Sequence, residues 1–569
     1  MTKVYFLCFL FCTTIAYSQK PDLTLFKNLK TRSIGPAGMS GRVTSVDAVV
    51  DNPDIIYIGT ASGGVWKTDN GGTTWEPIFD EQPIQNIGAV TIQQSNPSVI
   101  WAGTGEGNPR NSLNIGAGIY KSVDAGKTWK LMGLEKTRNI HKVLIDPTNA
   151  DIVYAAAIGN PYAEHPERGV YKTTDGGQSW NRILFTNDTS GCADLVMDPS
   201  NPNKLIAAMW QHRRTPWSFK SGGKGSGLYI TWDAGKSWKK LAKEDGIPEG
   251  DLGRIGLGIA ASQPSRVYAM IEASKNGLYK SDDGGNKWEL VNSDPQFVTV
   301  RSFYFNDIRV DPQNENRLYS LYQPIAVSED GGKSFRVNAP DNKIHADHHA
   351  MWIDPKDPSF IIEGGDGGLS ISRDKGKTWR FEEQLPLGQF YHINVDNELP
   401  YHVMGGLQDN GSWRGPAYTW ITEGIRNAYW DDLNGGDGFD VAPDPLDANW
   451  IYSMSQGGAL SKVNVATGER AFIRPPAPDL TTRLRFNWNA ALATDPIEPA
   501  TVYYGSQFLH KSSNKGMTWE IISPDLTTNN KEQQKQDENG GLSIDITGAE
   551  NYNTITFIVS CNDGLLSNF

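Results

Sequence analysis

Three observations in the sequence predict an all-β fold, a β-propeller of four-stranded blades. An octapeptide, Ser/Thr-x-Asp-x-Gly-x-Thr/Ser-Trp, recurs along the chain. An Asp/Asn-Pro turn followed by a strand rich in aromatic and β-branched residues precedes it. No stretch carries a convincing 3.6-residue apolar period. The octapeptide occupies 122–129, 173–180, 231–238, 281–288 (with Lys287 at the hydroxyl position), 328–335 (closed by Phe335) and 372–379. Two copies, 68–75 and 512–519, carry Asn70 and Asn514 in place of Asp. The closing aromatics fall 44 to 58 residues apart as far as Trp379, and then 140 residues separate Trp379 from Trp519. That gap holds three periods, so two units inside it have lost the octapeptide.

Each unit reads as strand, Pro turn, strand, Gly-rich loop, strand, octapeptide turn, strand. Asp146-Pro147 leads to Ile152-Val153-Tyr154, Asp311-Pro312 to Leu318-Tyr319, and Asp354-Pro355 to Ile361-Ile362. Inside the gap, Asp444-Pro445 leads to Trp450-Ile451-Tyr452, the mark of a degenerate unit. Ten units start near Gly41, Gly88, Ile140, Ala193, Ile255, Phe305, Ala346, Tyr391, Phe439 and Phe486. Units one to seven, residues 19–385, are expected to close a first, seven-bladed propeller. Units eight to ten, within 386–569, would form an incomplete second one, with a single ten-bladed ring as the competing closure. Residues 540–544 are expected to open a truncated eleventh unit, as in a shortened copy of a longer protein.

The octapeptide has a structural role before any chemical one. Its Asp accepts backbone N–H groups across a tight turn, its Gly suits positive φ, and its Trp folds back between neighbouring blades. The Asn70, Asp124, Asp175, Asp233, Asp283, Asp330, Asp374 and Asn514 side chains are therefore assigned as staples. A propeller needs one staple per blade but only one site.

Composition narrows the function. The chain has 569 residues, 53 basic against 65 acidic, for a net charge of −12. Such a field repels phosphate backbones and anionic membrane surfaces, so no nucleic-acid partner is expected. Lys3, the apolar run 4–16 and Ala16-Tyr17-Ser18 read as a signal peptide over 1–18, implying a periplasmic, cell-surface or extracellular protein. No later segment is apolar enough to span a bilayer. Cys8 and Cys12 leave with the signal, so Cys192 and Cys561 remain and no disulfide framework supports the fold. No cofactor is expected.

The octapeptides match the Asp box of sialidases, of the xyloglucanase family of glycoside hydrolases and of the sortilin N-terminal domain. Overall the chain resembles secreted bacterial Asp-box (BNR-like) proteins of the "glycosyl hydrolase/sortilin-like" group. The segments carrying this are Ser33-Ile34-Gly35-Pro36, Gly64 to Thr68, Gly103-Thr104-Gly105-Glu106, His345 to His349, Gly406 to Gly411 and Phe486 to Asn489. Resemblance to xyloglucanases implies two propellers facing a cleft and a catalytic Asp pair, one member opening the first strand of the second repeat. Gly88 stands at that position, and the carboxylate is missing. Resemblance to Asp-box propellers also places the ligand mouth opposite the boxes, along the loops between second and third strands.

Those loops supply the candidates. Glu106, Asp366 and Asp409 are the candidate catalytic carboxylates. Asn108, Arg110, Arg168, Trp210, His212, Arg213, Arg214, Trp217, Gln408 and Asn410 are candidate ligand contacts, with Asn111, Glu164, His165, Glu167 and Glu363 beside them. Aromatic faces beside charged groups suit a polysaccharide or protein ligand. Packing against an adjoining propeller, with Arg213 and Arg214 bridging carboxylates, is the alternative use. On a strand, His345, Asp347 and His349 would share one face, chemically able to hold a divalent metal, although no metal spacing supports it and a polar network is simpler. The reading that emerges is a binding or scaffold propeller. An endo-acting, xyloglucanase-like hydrolase of plant or algal polysaccharide is the alternative.

Overall fold

The computed structural model describes residues 40–543 except 111–112, 340–343, 536–537 and 539, together with 29 and 32–35. The signal peptide over 1–18 and Cys561 lie outside the described residues, as does 544. Among the described residues, ten antiparallel sheets follow one another, each a meander of four strands in chain order. They span 43–77, 87–131, 140–184, 190–240, 255–292, 307–339, 348–381, 390–434, 438–472 and 492–521. These are the ten predicted units. The tenth begins at Leu492 rather than Phe486, because the Arg485 N–H is taken by Gln507 Oε1 at 2.8 Å and the segment stays a loop.

Several second strands are apolar on both faces because neighbouring sheets cover both. Ile100–Thr104, Val153–Ala157 and Val267–Ile271 are buried at every position. Trp101 of sheet two packs in one cluster with Ile140, Val153 and Tyr171 of sheet three. Val43, Ile56 and Ile58 of sheet one share a cluster with Ile362, Leu369 and Ile371 of sheet seven. Sheets eight and nine meet through Met404, Leu433, Val441 and Ile451, and sheets nine and ten through Met454, Leu460, Val502 and Tyr504. Among the described residues no core cluster joins sheets seven and eight. The first strand of sheet eight, Phe390–Val395, leaves Ile393 72% and Val395 52% exposed.

The octapeptide turns are built alike. In sheet two, Asp124 Oδ1 accepts from Ser122 Oγ at 2.8 Å and from the Thr128 N–H at 2.9 Å, while Oδ2 accepts from Thr128 Oγ1 at 2.6 Å. Ser122 Oγ in turn accepts from the Gly126 N–H at 2.8 Å. Asp175, Asp233, Asp330 and Asp374 repeat the pattern. Asp283 keeps the bonds from Ser281 Oγ and the Lys287 N–H and lacks only the second hydroxyl, Lys287 having none. Asn70 and Asn514 accept the same backbone N–H and donate through Nδ2 to the threonine hydroxyl instead. Three of the tryptophans tie their sheet to the one before it: Trp129 Nε1 donates to Ile78 O, Trp180 to Met132 O and Trp519 to Ile473 O, all within 2.8 Å, whereas Trp288 and Trp379 donate to Gly285 O and Gly376 O of their own turns. Gly177 is needed for this closeness. Its φ is 98°, and a Cβ there would meet the Trp101 ring at 2.6 Å.

Two segments depart from expectation. Residues 210–217 are not a loop: Asn201–Thr215 runs beyond its sheet and pairs with Ser218–Ser221 as a hairpin. Of the expected eleventh unit, only residues 540–543 fall among the described residues. They lie along that hairpin, with the Ser221 N–H donating to Gly540 O and the Leu542 N–H to Ser221 O, both at 3.0 Å. Ser543 Oγ donates to buried Glu272, which also accepts from Ser221 Oγ at 2.7 Å. A buried carboxylate that needs donors thus holds this segment.

Candidate functional site

In an antiparallel meander the box turns sit at one end of the sheets. The loops between second and third strands, and the residues entering each first strand, sit at the other. At that second end, residues from five units converge on Arg42. Its Nε donates to Asp366 Oδ1 at 2.7 Å and its Nη1 to Glu106 Oε1 at 3.1 Å, and Nη2 lies 3.6 Å from Asp409 Oδ2. Tyr304 Oη donates to Asp366 Oδ2 at 2.6 Å, and His349 Nε2 lies 3.0 Å from Asp366 Oδ1. Asn108 joins His349 Nδ1 (3.2 Å) to Arg254 Nη2 (2.7 Å). Arg110 stacks over the Tyr304 ring at 4.9 Å. Arg42, Glu106, Asp366 and His349 are all at most 2% exposed.

Burial on its own would discharge these groups, so their charge states follow from their neighbours. Burial opposes the Arg42 charge, yet Asp366, Tyr304, Glu106 and Asp409 together raise its pKa well above the usual value. Burial likewise works against an ionised Asp366, but Arg42 and His349 hold it well below the carboxylate range. Glu106 is pushed up by burial against the pull of Arg42. Asp409 is driven well above its ordinary value by burial and by Asp366 and Asp437. The cluster is thus an Arg42–Asp366 ion pair beside Asp409, whose carboxyl is biased toward its neutral form by burial and by the Asp366 charge.

Of the sequence candidates, Glu106, Asn108, Arg110, Asp366, Asp409 and Asn410 are brought together; Asn410 Nδ2 donates to Asp366 O at 3.0 Å, and Gln408 Nε2 to Asp409 Oδ2 at 3.1 Å. Arg168, Trp210, His212 and Arg214 are near but buried in the scaffold. Arg168 donates to the carbonyls of Ile158, Thr189, Asn160 and Ala163. Trp210 stacks on His212 at 4.3 Å and donates to Ser221 Oγ. Arg214 donates to Pro109 O at 3.0 Å and lies over Phe219. Arg213, Trp217, His165 and Glu167 are half-buried and Glu164 is exposed, while Asn111 lies outside the described residues.

The histidine segment differs from its expected geometry. The strand begins at His348, and Asp347 has φ 71°, so alternation does not place His345, Asp347 and His349 on one face. His345 turns to Asp409 O and Ala346 O, and His348 pairs with Glu363 at 2.5 Å. Asp347 instead joins Asp366 and Asp409, one oxygen of each lying within 4.8 Å of the others. That is a possible set of metal ligands, but Arg42 already supplies the cation facing Asp366 and Asp409.

Sequence reasoning missed Arg42, Arg254, Tyr304 and Asp437. A signal existed: a polar residue recurs just before the first strand of a unit, at Arg42, Asn139, Arg254, Asn306, Asp347 and Asp437. At Gly88, the missing-carboxylate position, a Cβ would meet Gly105 O and Ile140 O at 2.3 Å each, so the backbone admits no side chain.

The Sortilin-Vps10 family profile (sortilin, neurotensin receptor 3) matches residues 117–246. The chain is 23% identical over 429 residues to xyloglucanase Xgh74A of Acetivibrio thermocellus, covering 63% of this chain and 45% of the relative. It is 25% identical over 306 residues to a xyloglucanase of Paenibacillus sp, covering 52% of this chain and 25% of the relative. A GH74 enzyme of Niastella koreensis aligns in structure over 87% of this chain and 81% of its own, at 16% identity and TM-score 0.49. The chain is thus an Asp-box propeller protein with sortilin-like and distant xyloglucanase-like similarity, and it spans less than half the length of the curated relatives named here. Among the described residues, no helix is long and apolar enough to cross a membrane.

Proposed function

We propose that the protein is an exported propeller module that binds a glycan or protein ligand at the rim opposite the boxes and does not hydrolyse it. One observation carries this reading: the candidate carboxylates are consumed by Arg42. Glycosidase carboxyl pairs stand about 5–5.5 Å apart when retaining and about 6.5–9.5 Å when inverting, with room for sugar or water between them. Here Arg42 contacts both carboxylates, at 2.7 Å from Asp366 and 3.6 Å from Asp409, Asp366 is 2% exposed, and Gly88 stands where the resemblance expects a carboxylate.

The ligand platform is the stitched group of loops above the cluster. The Arg214 N–H donates to Pro161 O at 2.8 Å and Tyr162 Oη to Leu113 O at 3.1 Å, joining sheets two, three and four. Half-buried Trp217 and Arg213 and exposed Glu164 belong to the same segments. Packing of sheet seven on sheet one supports a first propeller of sheets one to seven. The uncovered first strand of sheet eight supports assigning sheets eight to ten to an incomplete second one. The hydrolase alternative is favoured by the xyloglucanases among the relatives.

Titration with xyloglucan oligosaccharides on a glycan array, paired with a reducing-sugar assay, tests the reading. Binding weakened by Trp217→Ala with no reducing ends released is the expected result. Release of reducing ends by the wild-type protein overturns it.

A further inference from the structure

A cavity of about 1020 Å³ lies elsewhere, between the loops of sheets nine and ten. Its walls carry Arg474, Arg483, Arg485 and Lys531 against one lining carboxylate, Asp525. That carboxylate is already engaged: Arg485 Nη2 donates to Asp525 Oδ2 at 2.8 Å, and Thr527 Oγ1 donates to Oδ1 at 2.6 Å. Lys531 donates to the neutral amide of Asn529 at 2.8 Å. The lining is therefore cationic in a chain of net charge −12. Such a local reversal of sign attracts an anion that the rest of the surface repels.

The wall is also braced. Gln507 accepts the Arg485 N–H at 2.8 Å and donates through Nε2 to Arg483 O at 3.0 Å, fixing the backbone between the two arginines. Phe486 is buried beneath Arg474, whose guanidinium lies 4.6 Å from its ring centre. Trp488 and Phe508 add aromatic faces to the same lining, and Arg483 is exposed. Flat apolar faces suit sugar rings, while planar guanidinium forks suit carboxylates.

We propose that this cavity binds carboxylate-bearing sugars, a uronate oligosaccharide spanning the aromatic faces with its carboxylates on Arg483 and Arg474. The site is separate from the mouth-rim platform, so either can fail alone.

Calorimetric titration with tetragalacturonate, a neutral xyloglucan heptasaccharide and hexa-aspartate tests it. Tetragalacturonate binds, Arg483→Ala and Arg474→Ala each weaken it at least tenfold, Arg483→Lys less, and raising the salt weakens it further. Trp217→Ala leaves that binding unchanged. Arg483 is exposed, so an unchanged melting temperature separates lost binding from lost fold. Absent tetragalacturonate binding, equal affinity for the neutral sugar in the Trp217→Ala variant, binding insensitive to both arginine variants, or tighter binding of hexa-aspartate each overturn the proposal. The last would make the site one for acidic peptide.

Discussion

The two ends of the same sheets use aspartate in opposite ways. At the box end each Asp lies in water and is held by local hydrogen bonds. Asp124, for example, has its pKa lowered to about 2, chiefly by the Thr128 hydroxyl and backbone N–H. At the mouth end Asp366 and Asp409 come from distant units, are enclosed, and take their protonation states from each other and from Arg42. The first kind of site is a repeated local motif whose loss stays local. The second is a single long-range knot in which each member sets the charge of the others.

The contrast is broken most directly at Arg42. Removing one partner of a buried ion pair leaves an uncompensated charge, a loss of about 3–5 kcal/mol. Arg42→Ala should therefore lower stability by that amount in urea unfolding. A loss below about 1 kcal/mol would mean that water reaches the cluster and that the two ends differ less than their burial implies.

The next effect separates the two carboxylates. Asp366 is the ionised partner of Arg42, so Asp366→Asn should cost about 3 kcal/mol. Burial and the Asp366 charge push Asp409 toward its neutral form, so Asp409→Asn removes less charge than Asp366→Asn and should change stability by less than about 1 kcal/mol. The sign with pH follows. A folded-state pKa raised above the unfolded value means that the native state keeps a proton the unfolded chain releases. This group's contribution is therefore whole below about pH 4 and falls as pH rises toward the folded pKa. Asp409→Asn should flatten that fall and be at least as stable as wild type near neutral pH. Equal losses for the two variants would refute the assigned protonation states.

How far each end was legible in the sequence follows from the same difference. Thr68, Asn70, Gly72 and Trp75 lie within eight residues and recur, so composition, turn chemistry and period named the staples, and with them the ten sheets. Glu106, Asp366 and Asp409 were found because they stand in Gly-rich loops at matching places in their units. Their union was not visible, since Arg42 and Asp366 are 324 residues apart and only ring geometry brings them together. Trp210 and Arg168 misled for a related reason. Polar and aromatic residues in a presumed loop read as ligand contacts, but Trp210 lies within the second strand of its sheet, paired with Gly191 and fully buried, and Arg168 is spent on four carbonyls.

A smaller effect is expected at the boxes. Asp175→Ala removes acceptors for Thr173, the Ser179 N–H and Ser179 Oγ, and should lower the melting temperature by a few degrees while leaving ligand binding intact. Lost binding at unchanged stability would move the site to the box end.

The smallest effect is the most specific. Asn70 and Asn514 show that an amide can close the same turn, donating to Thr74 or Thr518 where Asp accepts from the hydroxyl. Asp124→Asn should then change the melting temperature near neutral pH by very little. It should alter the acid limb, because a depressed folded-state pKa gives stability that is present above the unfolded value of 3.8 and is lost as pH falls through about 2. The melting temperatures of the wild type and of this variant should therefore coincide near pH 6 and diverge as pH falls toward 2, the wild type dropping below the variant, because the protonated Asp has lost its acceptor bonds and the amide has kept them. Parallel curves across that range would show that the carboxylate charge adds nothing at this turn, and that hydrogen-bond geometry alone, which Asn supplies equally well, makes the staple.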